Sequence, residues 1–131
     1  MKRTIGALAL LSLTWAMPAL AQQVCDQATP FNHQLPTGPV EIVPAQPNKR
    51  IYFCGFFVSA RGPTLDMTVM LGQGTNCGTN TRQILFDNFP SDVAVSNRVE
   101  RVGPAGDPGY ALCIQSSGTG SLTGLIYWAQ F

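Results

Sequence analysis

Few groups in this chain could trade protons or attack an electrophile. Histidine occurs once, at His33, in a stretch between Pro30 and Pro36. General acid–base work needs such a group within hydrogen-bond reach of its partner, and a histidine in a proline-dotted segment reads as a solvated loop side chain. The serine elbow G-x-S-x-G is missing; in Gly120-Ser121-Leu122-Thr123-Gly124 the serine stands one position too early. The carboxylates are Asp26, Glu41, Asp66, Asp87, Asp92, Glu100 and Asp107. A glycosidase needs two of them facing each other across a cleft. The run from Asp87 to Asp92 (DNFPSD) brings two close in sequence, but calcium wants roughly six to eight oxygen ligands, so the run reads as a turn beside Pro90. Asp107, in Gly106-Asp107-Pro108-Gly109, reads as a turn residue for the same reason. The loop Gly72 to Asn80 (GQGTNCGTN) has Cys77 where a phosphate cradle places its third glycine, and no helical pattern follows it. These residues predict no enzyme: no catalytic residue, no metal ligand set and no cofactor.

The cysteines carry a different chemistry. Cys25, Cys54, Cys77 and Cys113 are separated by 29, 23 and 36 residues, with no closely spaced pair of the kind that holds zinc. An even number in an exported chain predicts two disulfides. Three pairings are possible, and sequence alone does not choose among them. The reading preferred here joins Cys54 to Cys77, across a hairpin, and Cys25 to Cys113.

Export is read from the start of the chain. Met1-Lys2-Arg3 is basic, Ile5 to Met17 is apolar, and Ala19-Leu20-Ala21 is a small-residue cleavage site, the three parts of a secretory signal peptide over residues 1–21. The chain after it, Gln22 to Phe131, holds 110 residues with six Lys/Arg against seven Asp/Glu. That is one domain. Six scattered basic residues are not the footprint of a nucleic-acid binder, and no further apolar stretch approaches the ~20 residues of a spanning helix. A secreted or periplasmic protein is expected. Across the whole sequence 11% of residues are charged, against roughly a quarter in ordinary domains. Its polar surface is therefore built mostly from Ser, Thr, Asn and Gln.

What positions these groups is a set of short strands. Val40 to Val43, Arg50 to Ser59, Thr64 to Leu71, Arg82 to Phe86, Asp92 to Val102, Tyr110 to Gln115 and Leu122 to Phe131 all carry strand patterns, divided by Gly/Pro turns. In the third of these, Leu65, Met67, Val69 and Leu71 point one way while Thr64, Asp66 and Thr68 point the other. Arg50 to Ser59 is apolar on both faces, so Tyr52, Phe53, Phe56 and Phe57 are assigned to the core. The prediction is a single all-β domain, 40–131: an antiparallel β-sandwich, jelly-roll or Ig-like, of about seven strands with two disulfides. The polar segment 22–39 is an arm or loop before it, and no internal repeat is visible. An outer-membrane barrel is set aside, because the strands are too few and too short.

Three stretches taken together, Asn48 to Phe56 (NKRIYFCGF), Gly72 to Thr79 (GQGTNCGT), and Tyr110 to Cys113 leading to Gly124 to Phe131 (GLIYWAQF), resemble a loose family of small exported bacterial and phage-encoded cysteine-containing β-sandwich proteins. The resemblance implies a disulfide-stapled sandwich scaffold and, through the phage members, a structural or surface-binding role. It carries no site residues. The sequence reading is thus a non-enzymatic exported module that recognises a protein or glycan surface or serves as a subunit of an extracellular assembly, with self-association through the N-terminal arm or the last strand. A periplasmic small-ligand-binding protein or hydrolase inhibitor is the alternative. The residues expected to contribute a binding surface are Tyr127 or Trp128, of which one faces outward, together with Asn76 and Asn80 of the stapled loop.

Overall fold

The computed structural model describes residues 25–34, 38–98 and 105–131. The expected signal peptide lies outside them, as do residues 99–102 of the fifth expected strand. The described residues form six strands: β1 (Gln27–Gln34), β2 (Val40–Val43), β3 (Ile51–Gln73), β4 (Thr79–Phe89), β5 (Val93–Arg98) and β6 (Ala111–Gln130), with one short 3₁₀ turn at Thr75–Cys77. All pairings are antiparallel. The all-β architecture with two disulfides is the one its alternation and cysteine count predict.

Two strands are much longer than expected. β3 spans 23 residues and β6 spans 20, and each absorbs two of the strands read from the sequence. The Gly-Pro segments that looked like turns are places where a continuous strand bends. At the middle of the β3–β6 ladder Arg61 pairs with Ser121 and Thr64 with Thr119, so Gly62-Pro63 stand against Gly120 alone, one residue extra on β3. Such a bulge bends the strand and raises its twist. Gly62, Gly118 and Gly120 have φ of 140°, 105° and 138° there. A Cβ on Gly62, Gly118 or Gly120 would overlap the carbonyl oxygen of Thr119, Thr64 or Arg61 respectively. The two backbones cross too closely for any side chain.

The bulge has a second effect, on facing. Phe56, Val58 and Ala60 are buried before it, and Leu65, Met67, Val69 and Leu71 after it. Even positions give way to odd ones, and the inserted residue keeps all of them on one face. On β6 no shift occurs, and Leu112, Ile114, Ser116, Leu122 and Ile126 share that face throughout. These apolar side chains of the two long strands thus project from the same side and are joined in one core. One sheet that buries a single face along its whole length must fold over on itself. The first layer holds residues 51–61 of β3, 121–130 of β6, β1 and β5; the second holds 64–73 of β3, 111–119 of β6, β2 and β4. Phe56 of the first layer meets Phe89 of the second edge-on, with ring centroids 6.4 Å apart.

The layers are related by an internal two-fold that the sequence reading did not find. Exchanging β1 for β4, β2 for β5 and β3 for β6 reproduces the pairing: each of the first two flanks the partner unit's long strand. Cys25 and Cys77 each stand two residues before an edge strand, and Cys54 and Cys113 lie near the start of a long one. The turns that lead into the long strands also correspond. In Gln46-Pro47-Asn48-Lys49 and Asp107-Pro108-Gly109-Tyr110 the fourth N–H donates to the first carbonyl, and the third residue has positive φ. Core positions correspond only in being apolar or small (Phe56 with Ile114, for example), because a core constrains volume more than identity. That is why the repeat is invisible to sequence comparison.

The disulfides are Cys25–Cys54 and Cys77–Cys113, one within each unit, which corrects the preferred pairing. That pairing treated Arg50 to Ser59 and Thr64 to Leu71 as a hairpin. Since they are one strand, Cys54 and Cys77 sit at opposite ends of β3. Each staple lies on an outward face and ties the start of an edge strand to the strand two places across the sheet. Cys25 reaches β3 past Ala129 of β6, and Cys77 reaches β6 past Gly72 of β3. A Cβ on Gly72 would come within 2.6 Å of the Cys77 Cβ.

Residues 27–34 of the segment expected to be an arm or loop are also part of the sheet. β1 pairs with β6 from Gln27–Trp128 to Gln34–Ser121, and Cys25 anchors it. The sheet therefore takes in residues before Val40, and His33 is a strand residue paired with Leu122, not a loop residue.

Two measurements check this architecture. Peptide mapping under non-reducing conditions will recover the 25–54 and 77–113 links, and replacing either pair by serine will cost about 2–5 kcal/mol. Gly120→Ala, which forces a side chain into the crossing, will lower stability by roughly 2–4 kcal/mol in urea titration. A wild-type midpoint for that variant would show that the β3–β6 crossing is not close-packed.

Candidate functional site

The aromatic strand that ends the chain does little of what the sequence suggested. Trp128 faces the core, and its indole Nε1 donates to Thr29 Oγ1 across the β1–β6 pair at 2.9 Å. Tyr127 is on the outward face, half-buried against the Cys25–Cys54 staple. One of the two faces outward, as alternation requires. Asn76 and Asn80 lie past the end of β3, in and just after the stapled loop. Asn76 Oδ1 accepts from the Glu41 N–H at 3.3 Å, and Asn80 Nδ2 donates to Gln73 Oε1 at 2.6 Å. Both have positive φ. The four residues do not converge; the loop asparagines hold the stapled loop in shape.

The carboxylates separate as well. Asp66 pairs with Asn88 on the outward face of the second layer, whereas Asp87 pairs with the buried Met67 and so belongs to the opposite face. Asp87 Oδ1 accepts from the Asn88 N–H at 3.0 Å. Asp92 Oδ1 accepts from the Gly62 N–H at 3.1 Å, tying the break between β4 and β5 to the central bend. Asp107 opens the turn described above. Among the described residues there is no group of three or more His, Cys, Asp or Glu side chains that could hold a metal.

A constellation does form among residues that no single motif joins. Asn88, Asp66 and Ser117 stand side by side on β4, β3 and β6. Asn88 Nδ2 donates to Asp66 Oδ1 at 2.6 Å, and Ser117 Oγ donates to Asp66 Oδ2 at 3.0 Å. One step along the same face the neighbouring row reads Phe86, Thr68, Gln115. Phe86 is 56% exposed, the most exposed large apolar side chain of the described residues. This face is an ordered row of neutral donors and acceptors around one carboxylate, beside an uncovered ring.

The equivalent face of the first layer is different in kind. Its rows read Asn32, Thr123, Ser59 and Pro30, Leu125, Phe57. Phe57, assigned to the core from the sequence, is 41% exposed there. The apolar run around it suggested cover on both sides, but this face of β3 carries no second layer. Phe53 and Phe56 are in the core as expected, and Tyr52 is half-buried against the ring of Phe131.

No protein-family model matches the chain, and no curated protein or solved structure is similar to it at a significant level. Among the described residues no helix is long and apolar enough to cross a membrane. Two disulfides suit a non-reducing environment.

Because Phe86 packs against so little, Phe86→Ala will change the denaturation midpoint by less than about 0.5 kcal/mol equivalent. A larger loss would mean that the ring supports the fold instead of facing solvent.

Proposed function

We propose that this protein is an exported, non-enzymatic recognition module that acts as a monomer, in the periplasm or outside the cell, after removal of residues 1–21. The observation that carries the reading is Phe86: an uncovered ring beside an ordered polar row, on a scaffold held by two staples. Groups fixed in advance lose little entropy when a ligand arrives. The dispersal of the carboxylates, with Asp66 and Asp87 on opposite faces and Asp92 and Asp107 engaged at turns, supports a role in binding over hydrolysis. The resemblance to exported and phage-encoded β-proteins points the same way.

The rival role, subunit of an assembly by strand donation, loses its two natural donors. β6 is central, with partners along both edges, and β1 is paired and anchored through Cys25. Neither can be given to a neighbour without opening the domain.

Light scattering coupled to size exclusion will give oxidised Gln22 to Phe131 the mass of one chain, about 12 kDa for a single domain of this length. A stable oligomer or filament would overturn the monomeric recognition reading in favour of an assembly subunit.

A further inference from the structure

Deepening that reading, and resting on it, we propose that the outward face of the second layer binds a neutral sugar ring, with Asp66 as its central acceptor and Phe86 as its platform. Both Asp66 oxygens already take one hydrogen bond each, from Asn88 and Ser117. An ionised carboxylate offers about four lone-pair sites, so two remain for hydroxyl donors, and bonds to a charged acceptor are the stronger kind. The two neighbours also hold the carboxylate in one orientation before any ligand arrives. The Asn88 amide keeps its carbonyl oxygen for a third hydroxyl. Phe86 lies two residues before Asn88 on the same face of β4, a rise of about 7 Å. That spacing lets one pyranose lay its apolar C–H face on the ring while its hydroxyl edge meets Asp66 and Asn88.

Other ligand classes fit this face less well. A carboxylate repels anions, and Arg82, four residues before Phe86 on β4, is turned to the carbonyl oxygen of Ala105, 2.5 Å away. A metal ion would find one carboxylate where it needs several. A purely apolar partner would leave the Asn88–Asp66–Ser117 row without water or compensation. The two-fold supplies an internal comparison. At the equivalent positions of the first layer Thr123 stands for Asp66 and Pro30 for Phe86, while Asn32 and Ser59 match Asn88 and Ser117 in type. The acceptor and the platform are the two members that differ, and they occur together on one face only.

The test is an amide NMR titration of oxidised Gln22 to Phe131 with methyl glycosides of glucose, galactose, mannose, fucose and N-acetylglucosamine, and with methyl glucuronide as the anionic control. At least one neutral glycoside will shift residues 66, 86, 88 and 117 saturably, with Kd on the order of millimolar for a single ring. The anionic control will not. Phe86→Ala and Asp66→Asn will each weaken binding about tenfold or more, whereas Phe57→Ala on the other layer will leave it unchanged. Dispersed spectra of the variants will show that they are folded. Absence of saturable shifts from every neutral glycoside up to about 100 mM, far above the expected Kd, overturns the proposal. Binding that maps to the first layer or survives Phe86→Ala overturns it too. If this same face responds only to a protein ligand, the sugar proposal fails and the recognition reading stands. If it is buried in an oligomer, both fail.

Discussion

The two longest strands run past each other antiparallel for almost their whole lengths, and at their midpoint three glycines let the backbones touch. With side chains there, β3 and β6 could not stay hydrogen-bonded through so sharp a bend, and the sheet would have to break into separate pieces. Because it does not break, one face stays continuous from end to end. The one extra residue that Gly62-Pro63 adds to β3 then decides which side chains belong to that face. The core, the two layers and the outward position of Asp66 all follow from this one crossing. Both edges of the ladder obey it as well: β1 and β2 follow each other along β6, and β4 and β5 along β3, each interrupted where the long strands bend.

How much of this was legible depends on whether a feature is local. Period-two alternation correctly assigns Leu65, Met67, Val69 and Leu71 to the inside and Asp66 and Thr68 to the outside, because neighbouring side chains on a strand must oppose each other. It also separates Tyr127 from Trp128. Alternation does not tell whether a Gly-Pro pair ends a strand or bends it, since both uses draw on the same backbone freedom. Reading Arg61-Gly62-Pro63 as a turn cut β3 in two, and the wrong cysteine pairing followed directly. The doubly apolar run around Phe57 was misread for a related reason. Phe53 and Phe56 fill the core from one face, Cys54 and Tyr52 pack around a staple on the other, and beyond the staple that second face is open.

The Asp66 row was out of reach for a further reason. Its members are 22 and 51 residues apart in sequence and come together through the register of three strands. A one-residue slip of either partner would turn Asn88 or Ser117 to the opposite face. No motif of fixed spacing can encode such a site. The internal two-fold was hidden similarly: it survives in strand order, cysteine placement and Pro-initiated turns, while the side chains between them have gone separate ways. The same divergence has put a carboxylate on one outward face and none at its counterpart.

The interlacing of the two units bears on how the chain reaches this state. β1 and β2 have no partner in their own unit; both pair with β6, and Gln27 meets Trp128, 101 residues later. While the chain is being made, β1 and β2 therefore wait without a ladder until β6 has followed them. Contacts of such long range close slowly, so these two strands are late to join the sheet. β6, made after both, is the strand on which they assemble.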